Sequence, residues 1–499
     1  MKRQKKKIIL ENVLVTDYAA EGKALAKLDG KVIFISGAVP GDVADIFITK
    51  DKKDWAEGRV QQIKEWSKER VTPFCKHFGV CGGCKWQMLP YEKQLQYKQQ
   101  EVAQNLRRIG KVALPEIMPI VGADDDKYYR NKLEFTFSNK RFLLPEEITA
   151  QPPKGGASEL DNLSGASEVE AVEISPLGGQ GVGALGYHAP RIFDKIINID
   201  ECYLMDDVNN KIRNTTRDFA VQNGYTFYDV RQHTGWLRNI IIRYCTTGEL
   251  MVNMVFNYED EASRKNILDH LLQQVPSITT LLFTINSKWN DTIYDLTPQT
   301  YFGKGYALEK LSPGLGEENF VFKISPKSFF QTNTKQAEKL YRITRDFAGL
   351  TGNEIVYDLY CGTGSIGIFV SKQAKKIIGV EVIEDAIKDA KENAALNNIT
   401  HAEFFAGDVI KICNDEFFAA HGKPDVIITD PPRAGMHDKL VAKLLEIAAP
   451  KIVYVSCNTA TQARDLALLD EKYSVEKIQP VDMFPHTHHI ECVVLLKLK

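Results

Sequence analysis

Nowhere does the chain run together about 18 apolar side chains, the length a helix needs to cross a bilayer, so a membrane-spanning helix is excluded. A secretory start is lacking as well. Met1 to Lys7 carries five Lys or Arg, but only Ile8-Ile9-Leu10 follows, too short for a signal peptide's apolar core, and the expected location is the cytoplasm. Net charge is scarce too, −2 over 499 residues, yet that figure hides an asymmetry. Residues 1–111 hold 22 Lys or Arg against 13 Asp or Glu, a balance of +9 that leaves −11 for the remainder. A basic N-terminal third points to a polyanionic partner, the alternative being a solvated charged face. Without a secretory signal, the nine cysteines point to metal or redox chemistry before disulfides. The composition is globular, 44% hydrophobic and 26% charged, and the length suits two or three domains.

What is present centres on Glu354 to Gly367, EIVYDLYCGTGSIG. A strand from Glu354 to Asp358 runs into the turn Cys361-Gly362-Thr363-Gly364, then into an apolar-periodic helix starting near Ser365. Glycine is required where backbone approaches a ligand or takes positive φ, and free N–H groups at the helix start suit an anionic or polar ligand. A second buried strand, Lys376 to Glu381, ends in an acid placed to accept hydrogen bonds from ribose hydroxyls. After a third strand comes Gly407-Asp408, whose acid can accept from an adenine amine, and the strand Asp425 to Thr429 ends in Asp430-Pro431-Pro432-Arg433. These marks predict a doubly wound α/β sheet with a nucleotide-type pocket.

The glycine turn, the acid about twenty residues on and the Asp-Pro-Pro strand end resemble the class I S-adenosylmethionine methyltransferases. The resemblance implies Tyr360, Ser365, Glu381, Asp408 and Asp430 around the cofactor. Ser328-Phe329-Phe330-Gln331-Thr332-Asn333 is similar to a family element whose glutamine contacts S-adenosylmethionine, which implicates Gln331.

Ser456-Cys457-Asn458 follows the buried strand Lys451 to Val455. A cysteine at the carboxyl end of a parallel strand faces the mouth of the site, where its thiolate can act as a nucleophile. A structural cysteine is the alternative. Carbon 5 of uracil cannot attack a methyl group unaided; a thiolate added at carbon 6 activates it, and a base must then remove the C5 proton. His488-His489-Ile490-Glu491 resembles the H-[IV]-E element of the RNA uracil-C5 methyltransferases, which makes Glu491 the implied base. Arg433 stands where amino-group methyltransferases place an aromatic and where RNA cytosine-C5 enzymes place a further cysteine.

Ile8 to about Ser67 reads as short alternating strands punctuated by Gly22, Gly30, Gly37, Pro40, Gly41 and Gly58, a pattern for a small closed barrel. It resembles the TRAM domain, an OB-like RNA-binding barrel, though small barrels also serve as plain interaction modules. Next comes Cys75-x5-Cys81-Gly82-Gly83-Cys84, three thiols that need a soft metal centre, with Cys202 the best candidate for a fourth ligand. The residues leave zinc and free thiols open. The resemblance is to members of the uracil-C5 family that carry a 4Fe-4S cluster with a distant fourth cysteine. The spacing departs from the C-x3-C-x2-C signature of radical enzymes.

Tyr91 to Ile109 is a polar amphipathic helix carrying Lys93, Lys98, Arg107 and Arg108, with either neighbour as its packing partner. Arg130-Asn131-Lys132 reads as a phosphate contact or a solvated edge. Leu144 to Gly183 is acidic, rich in Gly and Ser, and expected to be a loop or disordered insert. Ile192 to Tyr301 reads as mixed α/β, with His233, Asn239 and Arg243 structural. The expected domains are a TRAM barrel over 1–67, a central domain over 68–310 with the cluster and the insert at 144–183, and a methyltransferase domain over 311–499. The resemblance implies a 23S rRNA uracil-C5 methyltransferase, with a tRNA substrate or a non-enzymatic RNA-binding or chaperone module as alternatives.

Overall fold

The computed structural model describes residues 8–143, 183–190 and 192–499. The insert expected at 144–183 lies outside them except for Gly183. At the N-terminus six strands form one sheet in the order Ile9–Leu14, Val43–Asp51, Trp55–Glu65, Lys31–Ser36, Ala24–Leu28, Asp17–Tyr18. Its strands alternate buried and open positions, as a half-buried sheet requires, and Ile33, Ile35, Ala44 and Ile46 fill the inside. Trp86, Met88 and Leu89, just past the cysteine motif, complete this core.

The middle of the chain builds an eight-stranded sheet around Leu237–Tyr244 and Leu250–Phe256, whose side chains are buried almost throughout. Both helices Val208–Gln222 and Glu261–Gln274 pack against it, and Cys202 lies in its core with Cys81 and Cys84 at the margin.

The C-terminal sheet has seven strands in the order Ala402–Ala406, Lys376–Glu381, Ile355–Leu359, Val426–Thr429, Lys451–Ser456, Glu491–Leu498, Tyr473–Val481. The first five are parallel, and the three at the centre of the sheet, Ile355–Leu359, Val426–Thr429 and Lys451–Ser456, are buried almost throughout, as strands covered on both faces are. Glu491–Leu498 runs antiparallel to both neighbours, pairing Ser456 with Cys492. That reversal decides the site. It brings the first residue of the last strand to the edge where the parallel strands end.

Helix Tyr91–Asn105 settles on this sheet's helical layer: Val102 and Leu106 enter its core, and short bridges join Ile117 to Ile478 and Val121 to Val481. Lys98, polar in the sequence pattern, is fully buried here and pairs with buried Asp482 at 2.6 Å.

Candidate active site

The first parallel strand ends in a left-handed residue, Tyr360 at φ 61°, and Gly362 and Gly364 follow at φ 54° and 76°. A side chain at Gly364 would meet Phe404 at 2.9 Å, so glycine is required there by conformation and by space. Gly362 faces open space, leaving its backbone approachable. Glu381 accepts from Gly362 N at 3.3 Å and from Ile383 N at 3.1 Å, which fixes its carboxylate beside the turn. Ser365 opens the helix with its hydroxyl 3.0 Å from that of buried Tyr341. Asp408, exposed, caps the next short helix by accepting from Ile410 N at 2.9 Å. Gln331 is buried beside Asn333, which caps helix Thr334–Ala348.

The Gln331 loop is held by Asn131, which the sequence left as a phosphate contact or a solvated edge, and by Arg243, expected to be structural. Asn131 donates to Gln331 O and to Thr334 Oγ1, each at 2.9 Å, and buried Arg243 reaches Asn131 Oδ1 and Ser328 O. Phe330 is buried against Phe322, whereas Phe329 is 70% exposed, so of that pair only Phe329 can offer a stacking face.

Asp358 is a further residue of the pocket, inside the glycine-turn motif but without an assigned role from sequence. One carboxylate oxygen accepts from Gly367 N at 2.8 Å; the other is buried with no partner among the described residues. Burial, then the Asp430 and Glu381 carboxylates, push it up to about 7. This orphan acceptor and the open Gly362 backbone fit a cationic, hydrogen-bonding nucleoside such as S-adenosylmethionine.

At the other end of the sheet edge, Cys457 follows Lys451–Ser456 directly and precedes Asn458, which caps helix Thr459–Leu469 through Ala460 N at 3.1 Å. Glu491 is buried on the neighbouring strand. Burial and then Asp430 raise its carboxyl well above the usual range, while Arg433 opposes the shift. The Cys457 thiol is pushed up to about 11 by burial and by the Glu491 and Asp430 charges, against Arg433. Asp430, partly open at its strand end, is raised to about 7 by desolvation. Arg433 bonds the His489 ring and has its own carbonyl held by Asn458 and Thr461. His488 and His489 are driven down to about 4 and about 3, chiefly by burial, so both are neutral at pH 7. Two acids, one thiol and one guanidinium thus meet at the carboxyl end of the parallel strands.

Cys75, Cys81, Cys84 and Cys202 line one separate cavity with Gly83, Gln87 and Tyr187. Burial lifts each thiol, Cys81 to about 12 and Cys84 to about 11, and the sulfurs oppose one another's ionisation. Among the described residues, no three His, Cys, Asp or Glu converge as a single ion requires. Four cysteine sulfurs around one cavity are the donor set that either zinc or an iron–sulfur cluster would use.

With this geometry in hand, comparison with known proteins is direct. The tRNA (uracil-5-)-methyltransferase family model matches residues 240–499 and the TRAM domain model matches residues 11–61. The chain belongs to the RNA uracil-5-methyltransferase family. An uncharacterized RNA methyltransferase of Bacteroides thetaiotaomicron is 50% identical over 484 residues, 96% of this chain and all of that protein. One from Chlorobaculum tepidum is 38% identical over 98% of this chain and 96% of its own length. The crystal structure of the Pyrococcus abyssi tRNA (uracil-54, C5)-methyltransferase in complex with S-adenosyl-L-homocysteine superposes with a TM-score of 0.69 at 25% identity, covering 97% of this chain and 100% of that one. The methyltransferase is therefore S-adenosylmethionine-dependent, acts on RNA and carries a TRAM domain. Among the described residues, no helix is long and apolar enough to cross a membrane.

Proposed function

We propose that the protein methylates carbon 5 of a uridine in 23S rRNA through a covalent adduct on Cys457. The observation that supports the reading is the Ser456–Cys492 pairing, which makes Cys457 and Glu491 neighbours at the carboxyl end of the parallel strands. Cofactor-facing roles fall to Gln331, Tyr360, Ser365, Glu381, Asp408, Asp430 and, added from the geometry, Asp358. Bound S-adenosylmethionine supplies the methyl group. The Cys457 thiolate, its proton first lost to water, bonds to uracil carbon 6, moving the electron pair of the C5–C6 double bond onto C5 as an enolate. C5 takes the methyl as the methyl's bond to the sulfonium sulfur breaks and that sulfur keeps the electron pair. Glu491 then accepts the C5 proton, the C6–S bond breaks, and the double bond re-forms with release of the thiolate. Arg433 favours the anionic forms of both Cys457 and Glu491.

The target must be unstacked to reach Cys457, which a loop uridine does at least cost. Barrel residue Gly22 lies against this mouth: its carbonyl accepts from Trp86 Nε1 at 3.4 Å, and a side chain there would meet His488 Cβ at 3.0 Å. RNA held on the barrel is thus delivered to the catalytic segment. The basic N-terminal third and the added cysteine cavity support a large ribosomal footprint. A tRNA uridine is the second reading, favoured by the full-length superposition on a tRNA enzyme. For the four-cysteine cavity the reading is a 4Fe-4S cluster on Cys75, Cys81, Cys84 and Cys202. Labelled S-adenosylmethionine incubated with unmodified total RNA, followed by nuclease mapping, tests the function. Label at C5 of an rRNA uridine is expected; label confined to tRNA replaces the target, and label on cytosine overturns the reading. Anaerobic purification should give brown protein with roughly four irons per chain, the content of one such cluster; stoichiometric zinc without visible absorption overturns that part.

A further inference from the structure

We infer that His486 is the positioning residue through which the cysteine cavity holds Glu491 in place. The inference rests on the reading of Glu491 as base and of the four cysteines as a cluster site. His486 is buried at φ 63°, a left-handed conformation that a non-glycine residue keeps only where its surroundings dictate it. Those surroundings are the two flanks of the cysteine motif. Lys85 N and Trp86 N, the two residues after Cys84, both donate to the His486 carbonyl, at 2.7 and 3.1 Å. Phe74, the residue before Cys75, packs edge-on against the His486 ring with centroids 5.1 Å apart.

Gln94 closes the clamp. It accepts from His486 N at 2.8 Å, its amide nitrogen lies 3.1 Å from the ring Nδ1, and the same amide donates to Trp86 O and Leu89 O. Asp126 lies 3.3 Å from the remaining ring nitrogen. Upstream, Tyr129 donates to Pro485 O at 2.8 Å. Downstream, Thr487 Oγ1 donates to Phe484 O and accepts from His489 N, Arg433 bonds the His489 ring, and Glu491 enters its strand opposite Val481. The order of the Phe74–Trp86 loop therefore bears on residues 486–490, which lead into Glu491. Filling the cysteine cavity fixes that loop; emptying it loosens the approach to the base, while the turn after Ile355–Leu359 and Cys457 keep their places at the strand ends.

The consequence is step-specific. Loss of the cavity's occupant, or of the His486 clamp, slows proton removal and adduct release while thiol addition and cofactor binding persist. The test uses the full-length protein reconstituted with ferrous iron and sulfide, and the same protein after chelation. Hydrogen exchange in 484–491 is expected to accelerate on chelation, with 355–381 unchanged. His486→Ala and His486→Gly, the second of which tolerates φ 63°, should lengthen the lifetime of the RNA–protein adduct by ~tenfold, about 1.4 kcal/mol on the release barrier, with unchanged S-adenosylmethionine affinity. Glu491→Gln separates the layers. If it fails to trap an adduct, the assignment of the base falls; if it traps one while the His486 variants and the chelated protein release normally, only this inference falls. Should the variants not fold, unchanged exchange at 484–491 in chelated wild type overturns it alone.

Discussion

Two buried carboxylate environments lie a few residues apart and are built on opposite principles. Asp482 is fully buried and fully served: Lys98 at 2.6 Å, Tyr91 hydroxyl at 2.9 Å and Phe484 N at 3.0 Å all point at it. Glu491 and Asp430 are crowded together instead, each disfavouring the other's charge, with exposed Arg433 the opposing cation. The first arrangement is a fastener, since every charge has a partner. The second stores electrostatic stress near neutrality, which is what a proton acceptor needs.

The largest effects are expected on the stressed side, from Glu491 and Cys457. Glu491→Gln should lower turnover by about 10²–10⁴-fold, the usual worth of a general base, and should leave an RNA–protein species that survives denaturing gels. Cys457→Ala should abolish methylation and adduct together, because the first bond no longer forms. Normal turnover by Glu491→Gln would move the base elsewhere; neutral, half-buried His489 would be the next group to test.

Lys98→Ala attacks the fastener. Removing one partner of a buried pair leaves the other charge stranded, at a cost of about 3–5 kcal/mol. Denaturant unfolding should show that loss, whereas Glu491→Gln should unfold no earlier than wild type. Equal destabilisation by both would erase the distinction.

That distinction was only half legible in the sequence. Cys457 was visible because strand, turn and helix cap are contiguous, and the glycine turn with Glu381, Asp408 and Asp430 was visible for the same reason. Glu491 was reachable by resemblance alone, since its place depends on an antiparallel last strand pairing with a segment some 35 residues earlier. Lys98 read as a surface charge on a polar helix, because its partner is 384 positions away. Asn131 and His486 were hidden likewise: local pattern shows which face of an element is apolar, not which distant polar atom will meet it.

The cysteine cavity supplies a smaller, intermediate test. Cys202→Ser should reduce iron content and brown colour and weaken stability or RNA binding before it alters the methyl-transfer step, because no cavity cysteine lies in the methyltransferase motifs. Loss of methyl transfer at full RNA affinity would instead assign the cavity a direct part in chemistry.

The mildest prediction concerns pH, and follows from the stressed side of the comparison. Asp358 and Asp430 have folded values of about 7 against 3.8 in the unfolded chain. Between those values the folded protein holds the extra protons, so ligand-free stability should fall as pH rises from about 4 to about 7 and level off above. Cofactor binding should run the other way. Ionised carboxylates attract the sulfonium, so S-adenosylmethionine should bind tighter at pH 8 than at pH 6, by up to about tenfold for each proton displaced over one pH unit. Calorimetry at the two pH values measures it. S-adenosylhomocysteine, which lacks the sulfonium charge, should show the weaker slope, and Asp430→Asn should flatten the slope for S-adenosylmethionine. Equal slopes for the two ligands would show that the carboxylates titrate without sensing the methyl donor's charge, leaving their raised values a feature of burial rather than of catalysis.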